Sequence, residues 1–270
     1  MKVLHKAKLI KSNKESGEIM VQKNFKRNEL KFKVNKEAFE RITNELNNYM
    51  KLDKYCENNG TYMIYNIYFD TLNNDIIRKS ISKAYYKEKL RLRSYKNPAE
   101  KEDIVFLELK KKINGTVAKR RATMTYGEAI NFIENRIYPD NKSYIDMQVL
   151  HEISDFLNRY KVHLKVYISY ERIAYYGKEN RDFRVTFDKN ILTRRNEVNF
   201  ISGDYGRELL DKDEYLMEVK VIGALPLWFV HLLSELKVYR ISFSKYGEEY
   251  KNFLKEENYY KVIYHKNLTA

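Results

Sequence analysis

A chain of 270 residues with 43% hydrophobic and 14% aromatic content can fill a real core, so a folded globular protein is expected and a disordered one excluded. Its 51 basic against 37 acidic residues leave a formal charge of +14, which favours anionic partners: nucleic acid, an anionic membrane surface or phosphorylated small molecules. A single cysteine, Cys56, excludes an intramolecular disulfide and a thiolate metal cluster, and points to a reducing compartment.

The amino-terminal stretch MKVLHKAKLIKSNKESGE is basic but lacks the apolar run of a signal peptide, and no segment is long and apolar enough to span a bilayer. A cytoplasmic location without a membrane segment is the expectation. Three prolines, nine glycines and no Pro/Gly/Ser-rich linker argue for one domain over 17–254, with a basic leader over 1–16 and a tail over 255–270.

FKRNELKFKV sets Arg27, Glu29, Lys31 and Lys33 on one face of a strand and Leu30, Phe32 and Val34 on the other. Asn35 can cap a following helix, where Phe39, Ile42, Leu46 and Tyr49 recur at spacings of three and four; it is expected as a lid on one end of a sheet. TYMIYNIYFDT, residues 61–71, is aromatic or β-branched on both parities and reads as a strand buried on both sides. In KEKLRLRSY, Lys87, Lys89, Arg91 and Arg93 share one parity and Leu90 and Leu92 the other, so an extended chain carries all four charges on one face.

IVFLELKKKINGTVAKRRATM contains Asn114-Gly115, a strong hairpin signal. A two-residue loop there places Ile113 opposite Thr116, Lys110 opposite Lys119 and Glu108 opposite Arg121, with Lys112 on the same face. Like charges opposed across a ladder repel, so this register suggests a bound anion; a longer loop would make Arg120 the candidate for that face.

Helical stretches follow around 127–136 and 143–158. In VHLKVYISYERIAYYG, Tyr170 and Arg172 share parity with Val166 and Ile168. FRVTFD separates Arg184, Thr186 and Asp188 from Phe183, Val185 and Phe187, and YLMEVKVIG separates Glu218 and Lys220 from Met217, Val219 and Val221. A helix over about 225–236 carries the lone tryptophan, Trp228, and Ser242, Ser244 and Lys245 stand just before a final helix.

The expected fold is β-dominated α+β: at least seven strands, most with one apolar and one charged face. A sheet of about eight strands tends to close into an antiparallel β-barrel just wide enough for side chains or one small ligand, here with peripheral helices. Lys and Arg outnumber carboxylates on its inner face, and two like charges about 4 Å apart repel by about 4 kcal/mol at an effective dielectric near 20. Such an interior calls for a polyanion and a divalent cation. Triphosphate with Mg2+ or Mn2+ fits, with Arg and Lys on the phosphate oxygens and carboxylates on the metal. No P-loop, kinase glycine loop, nucleophile elbow or paired-histidine metal site is present, and the five histidines share no useful spacing.

The ordered set RNELKFK, YNIYFDT, KLRLR, FLELKKK, KRR, YERIAY, FRVTFD, LMEVK and FSKY resembles the VTC domain, the polyphosphate polymerase domain of the triphosphate tunnel metalloenzyme (CYTH-like) superfamily, from about Phe25 to Tyr250. The resemblance implies a triphosphate tunnel whose substrates are a nucleoside triphosphate, ATP foremost, and inorganic polyphosphate. It implies that Glu218 holds the metal, that Arg91, Arg93, Lys110, Arg172 and Arg184 cradle phosphates, and that Lys31 and Lys245 bind the reacting phosphoryl groups. Tyr170 and Ser244 match further motif positions, and Lys89, Lys119, Arg121 and Lys220 are candidate substrate contacts. Glu29 and Glu108 are either additional metal ligands or internal counter-charges. The position before Phe243 is often basic in the family and is Ser242 here, leaving that phosphate contact absent or supplied by Arg240 or Lys220. A hydrolase of the same fold and a non-catalytic polyphosphate-binding module are the alternatives; nucleic-acid binding is not expected, because stacking aromatics on the charged face are few.

Overall fold

The alternating strands assemble into one antiparallel sheet. The computed structural model describes residues 27–268 apart from 57–59, 98, 115 and 141, so the leader over 1–16 lies outside the described residues. In chain order the elements are β1 (Arg27–Asn35), α1 (Lys36–Tyr49), β2 (Met50–Leu52), β3 (Tyr62–Asp70), α2 (Asp75–Ile81), β4 (Tyr86–Ser94), β5 (Ile104–Ile113) and β6 (Thr116–Thr125). There follow α3 (Tyr126–Asn135), α4 (Tyr144–Arg159), β7 (His163–Gly177), β8 (Arg184–Arg194), β9 (Arg207–Glu208), β10 (Glu214–Ile222), α5 (Leu227–Glu235), β11 (Arg240–Ile241) and α6 (Lys245–Leu268). The last helix runs across the expected boundary between domain and tail.

Helix starts follow side-chain caps. The Asn35 carboxamide accepts from the Ala38 N–H at 2.9 Å to open α1. Thr125 and Glu128 form a reciprocal capping box at α3: Thr125 Oγ1 accepts from Glu128 N at 3.2 Å, and Glu128 Oε2 from Thr125 N at 2.7 Å.

The sheet has eleven strands in the order β11-β1-β10-β8-β7-β3-β4-β5-β6, with β2 paired to β7 and β9 to β8. It is not the expected closed eight-stranded barrel: among the described residues no ladder joins β6 to β11 or β1. One edge, β11, has only two residues and pairs only with Lys31 and Phe32 of β1. The other edge is covered by α4, where the Thr123 N–H donates to Asp146 Oδ1 at 3.3 Å and Arg120 pairs with Glu152 at 3.0 Å. Covering an edge with a helix satisfies it without barrel closure.

The sheet nevertheless curls strongly. Lys110 of β5 acts electrostatically on Glu29 of β1, and Lys31 of β1 on Lys89 of β4, so strands near opposite ends of the ladder face each other across a concavity. The convex side is apolar. Leu90, Leu92, Leu107 and Leu109 pack there with α3 and α4, and Phe32, Val34, Met217 and Val219 pack with α1 and α5.

Helix α1 is therefore not a lid on one end: its buried Ile42 and Leu46 join the outward-facing set of β1 and β10. The concave side is plugged by α2 and α6 instead. Ile77, Tyr246 and Tyr250 pack there against Ile64, Val166, Ile168, Tyr170 and Leu216.

Candidate functional site

The β5–β6 hairpin has the register that a two-residue loop demands: Ile113 opposite Thr116, Lys110 opposite Lys119 and Glu108 opposite Arg121. Asn114 takes a left-handed φ of 44°, which Asn tolerates better than most residues. On the other flank Lys110 faces Lys89 and Glu108 faces Arg91. Two transverse rows result, lysines from β4, β5 and β6 in one and Arg-Glu-Arg in the next.

Glu108 is 1% exposed and surrounded by cations. Its Oε2 accepts from Arg91 Nε at 2.6 Å, and its Oε1 from Arg121 Nε at 2.7 Å with Lys119 Nζ at 2.6 Å. Burial alone would raise its pKa, but Arg91, Arg93 and Lys119 hold the carboxyl well below the usual carboxylate range. Both oxygens of Glu108 are thus engaged by cations in this structure. Arg91 also donates to the Tyr68 hydroxyl at 3.3 Å, and Arg93 to Asn66 Oδ1 at 3.2 Å.

A second knot joins β7, β8 and α6. Arg172 grips fully buried Asp188 through two bonds of 2.6 and 2.7 Å, and Lys245 Nζ donates to the same carboxylate at 2.5 Å. The Tyr170 ring lies beside both cations, 4.3 Å from Lys245 Nζ and 5.2 Å from the Arg172 guanidinium carbon. Its hydroxyl is buried, which raises the pKa, yet Arg172, Arg93 and Lys245 together pull it down. Ser244 caps α6 by accepting from Gly247 N at 3.3 Å, and it receives Lys89 Nζ at 3.3 Å.

On β1 and β10, Lys31 Nζ is shared by Glu218 at 3.1 Å and Glu29 at 3.4 Å. Lys245 and Arg172 stand farther from Glu218, at 3.6 and 3.9 Å. Burial opposes ionisation of Glu218, but Lys245, Lys31 and Arg172 keep it well below the ordinary range. By contrast Lys89, Lys110, Arg184 and Lys220 make no direct ion pair with a carboxylate among the described residues. Lys89 is extreme: burial, then Lys110, Lys31 and Lys87, push it down to about 7. Arg184 and Lys220 face each other on β8 and β10, with Arg184 exposed.

The sequence-predicted cations of this concavity thus fall into two groups among the described residues: those paired with Glu108, Asp188, Glu218 or Glu29, and Lys89, Lys110, Arg184 and Lys220, which make no direct ion pair. Ser242 and Arg240 are exposed beyond the concavity. Sequence reasoning missed Asp188 as the anchor, although parity had set it on the charged face, and missed Asn66 and Tyr68, which sit on a strand read only as core. Arg120, the alternative under a longer loop, points to α4.

Among the described residues, no group of three or more His, Cys, Asp or Glu side chains could hold a metal. Glu218 and Glu29, sharing one ammonium, suit a hard cation that takes one or two carboxylates and completes its shell with water and phosphate oxygens. The Thr186 hydroxyl, opposite Glu218, is buried without a hydrogen-bond partner and is a further oxygen in that row.

A family model of the VTC domain matches residues 26–254. The chain belongs to the VTC domain family. No curated protein sequence matches this VTC domain chain. Among solved structures it is similar to a Bacillus halodurans protein named as a "putative adenylate cyclase", at 16% identity over 81% of this chain and 95% of that one, with a TM-score of 0.46. It is also similar to the PH1819 protein of Pyrococcus horikoshii OT3, at 13% identity over 86% and 99% of the two chains (TM-score 0.38). A chain of the Schizosaccharomyces pombe Mediator head module aligns at 12% identity over 78% and 90% (TM-score 0.39). No helix of the described residues is long and apolar enough to cross a membrane.

Proposed function

We propose that this VTC domain is a metal-dependent phosphotransferase of the polyphosphate polymerase type, moving the terminal phosphoryl group of a nucleoside triphosphate, ATP foremost, to the end of a polyphosphate chain. The observation that carries the reading is the set of unpaired cations, Lys89, Lys110, Arg184 and Lys220, around a concavity where other cations are already tied to carboxylates. An interior of this kind is short of negative charge, and a polyphosphate supplies it along its length.

In this scheme Lys89 and Lys110 bind phosphate oxygens from β4 and β5, and Lys220 and Arg184 from β10 and β8. Arg91, Arg93 and Arg172 are pre-set by Glu108, Asn66 and Asp188, so little reorganisation accompanies charge development. Lys31 and Lys245 steady the reacting phosphoryl groups from either side of Glu218. Glu218 with Glu29 would hold Mn2+ or Mg2+, which supplies charge neutralisation across the phosphates. The acceptor is an ionised phosphate oxygen, so no strong general base is required, and catalysis rests on positioning and charge stabilisation.

The test incubates purified protein with ATP and Mn2+, with and without a short polyphosphate primer, and follows polymer on a gel and free phosphate in solution. Lys110→Met and Glu218→Gln variants, checked for folding by melting curves, run alongside. Polymer made by the wild type and lost in both variants supports the polymerase. Free phosphate without polymer assigns a hydrolase. No product, with a melting shift on adding tripolyphosphate, leaves a binding module, and no shift refutes the site.

A further inference from the structure

The inward face of β5 changes character along its length: Ile104 and Phe106 first, then Glu108, Lys110 and Lys112. Neighbouring strands change at the same level. On β4, Arg93 pairs in register with Phe106, and Tyr95 follows just beyond the strand end. On β3, Tyr62 occupies the corresponding end, opposite Arg172.

The rings form a continuous series. Tyr95 meets Phe106 edge-on at 5.7 Å between centroids, Tyr62 stands 6.3 Å from Tyr95, and Tyr55 stands 6.1 Å from Tyr62. Tyr95 is 44% exposed and Ile104 53% exposed, so this apolar rim is open to solvent. A cleft of about 350 Å3 lies among Tyr95, Lys96, Glu102, Asp103, Ile104 and Phe106. Its floor is pinned to α3, because Asp103 and Lys101 carbonyls accept from Tyr126 N and Gly127 N at 2.8 Å each.

The cleft adjoins the phosphate cations directly. The Arg121 guanidinium carbon lies 4.5 Å from the Phe106 ring centroid while its nitrogens bond Glu108. A ligand laid from the cleft into the concavity therefore meets aromatic and aliphatic side chains first and Arg93, Arg121 and Arg91 next. Inorganic polyphosphate has no group for the first part. A nucleoside triphosphate has both, a π-faced base and a polyanion in covalent continuity; at the rim Glu102 offers an acceptor to an exocyclic amino group, while the Asp103 carboxylate is already engaged by Lys96 Nζ and the Glu100 N–H.

We propose that the cleft bounded by Tyr95, Ile104 and Phe106 is a nucleobase-stacking site that seats the base of the nucleotide while its phosphates enter the concavity. This rests on the triphosphate-binding reading above and adds to it a means of telling a nucleotide from bare polyphosphate.

The test compares ATP with inorganic tripolyphosphate by titration calorimetry, at fixed Mg2+, on the wild type and on Tyr95→Ala and Tyr95→Trp. Stacking on an aromatic side chain is worth enough that its loss should weaken ATP binding about five-fold or more in Tyr95→Ala. Tripolyphosphate affinity should stay unchanged, and Tyr95→Trp should restore or exceed wild-type affinity for ATP. If Tyr95→Ala leaves ATP unaffected, or weakens both ligands equally, the base site is refuted while triphosphate binding stands. If neither ligand binds the wild type, the triphosphate reading itself falls and the base site with it.

Discussion

Neutralising Glu108 separates the two roles that its position allows. In Glu108→Gln the buried carboxylate loses its charge while Arg91, Arg121 and Lys119, each within 2.7 Å of it, keep theirs. Cations left about 5 Å apart repel by roughly 3 kcal/mol per pair at an effective dielectric near 20. Side-chain relaxation and water reduce this, so the expected loss is about 3 to 5 kcal/mol, as for other broken buried pairs. At about 2 to 4 °C per kcal/mol for a domain of this size, the empty variant should melt roughly 6 to 20 °C below the wild type. Polyanion should reverse the order of effects. Ligand at about a hundred times its dissociation constant adds roughly 2.7 kcal/mol to the wild type, and the variant, freed of an internal competitor, should gain more. Differential scanning fluorimetry with and without tripolyphosphate, in EDTA and in Mg2+, reads both quantities. An unchanged melting temperature, or a smaller shift with ligand, would refute the counter-charge role, and a selective loss of the Mg2+ effect would make Glu108 a metal ligand after all.

Lys89, pushed down to about 7, should couple binding to protons. Its folded pKa lies below the ordinary lysine value, so the empty protein should gain stability as pH rises above about 7 toward the usual lysine range, whereas polyphosphate affinity should fall over the same interval. Calorimetry in buffers of different ionisation enthalpy should show proton uptake near pH 7.5, reduced in Lys89→Arg; no difference between the two proteins would remove Lys89 from the anion site. Asp188→Asn should cost about 3 to 5 kcal/mol by stranding Arg172 and Lys245, measured as a lowered urea midpoint, and a neutral result would mean those cations find other partners. Glu29→Gln should weaken Mg2+-dependent triphosphate binding about ten-fold or less while leaving metal-free polyphosphate binding intact; equal loss under both conditions would show that Glu29 merely orients Lys31.

Local periodicity carried the site further than it carried the fold. The inward charged face of β4 was legible because strand side chains alternate with a period of two, and the β5–β6 register because Asn114-Gly115 fixes a short loop. Closure was not legible. Whether a curled sheet joins edge to edge depends on its two outermost strands, and here one has two residues while the other lies under α4. The place of α1 was misread for a related reason. Helix α1 has the clearer amphipathic pattern, but Ile77 and Tyr246, which stop the concavity, belong to helices whose packing partners are remote in sequence. Asp188 was seen on the right face, yet nothing local shows that Arg172, 16 positions earlier, and Lys245, 57 positions later, converge on it.

On the proposed reading, the division between ion-paired and unpaired cations reconciles folding with the binding of a polyanion. If every Lys and Arg were paired, an incoming phosphate would have to displace a carboxylate and would gain little; if none were, mutual repulsion would oppose the fold itself. Glu108 and Asp188 relieve the densest groups, while Lys89 and Lys110 on one bank and Lys220 and Arg184 on the other make no direct ion pair among the described residues. These banks belong to strands distant in the ladder that no hydrogen bonds join around the opening. On the proposed polyphosphate reading, a chain of linked phosphates would meet cations of both groups in turn along its length.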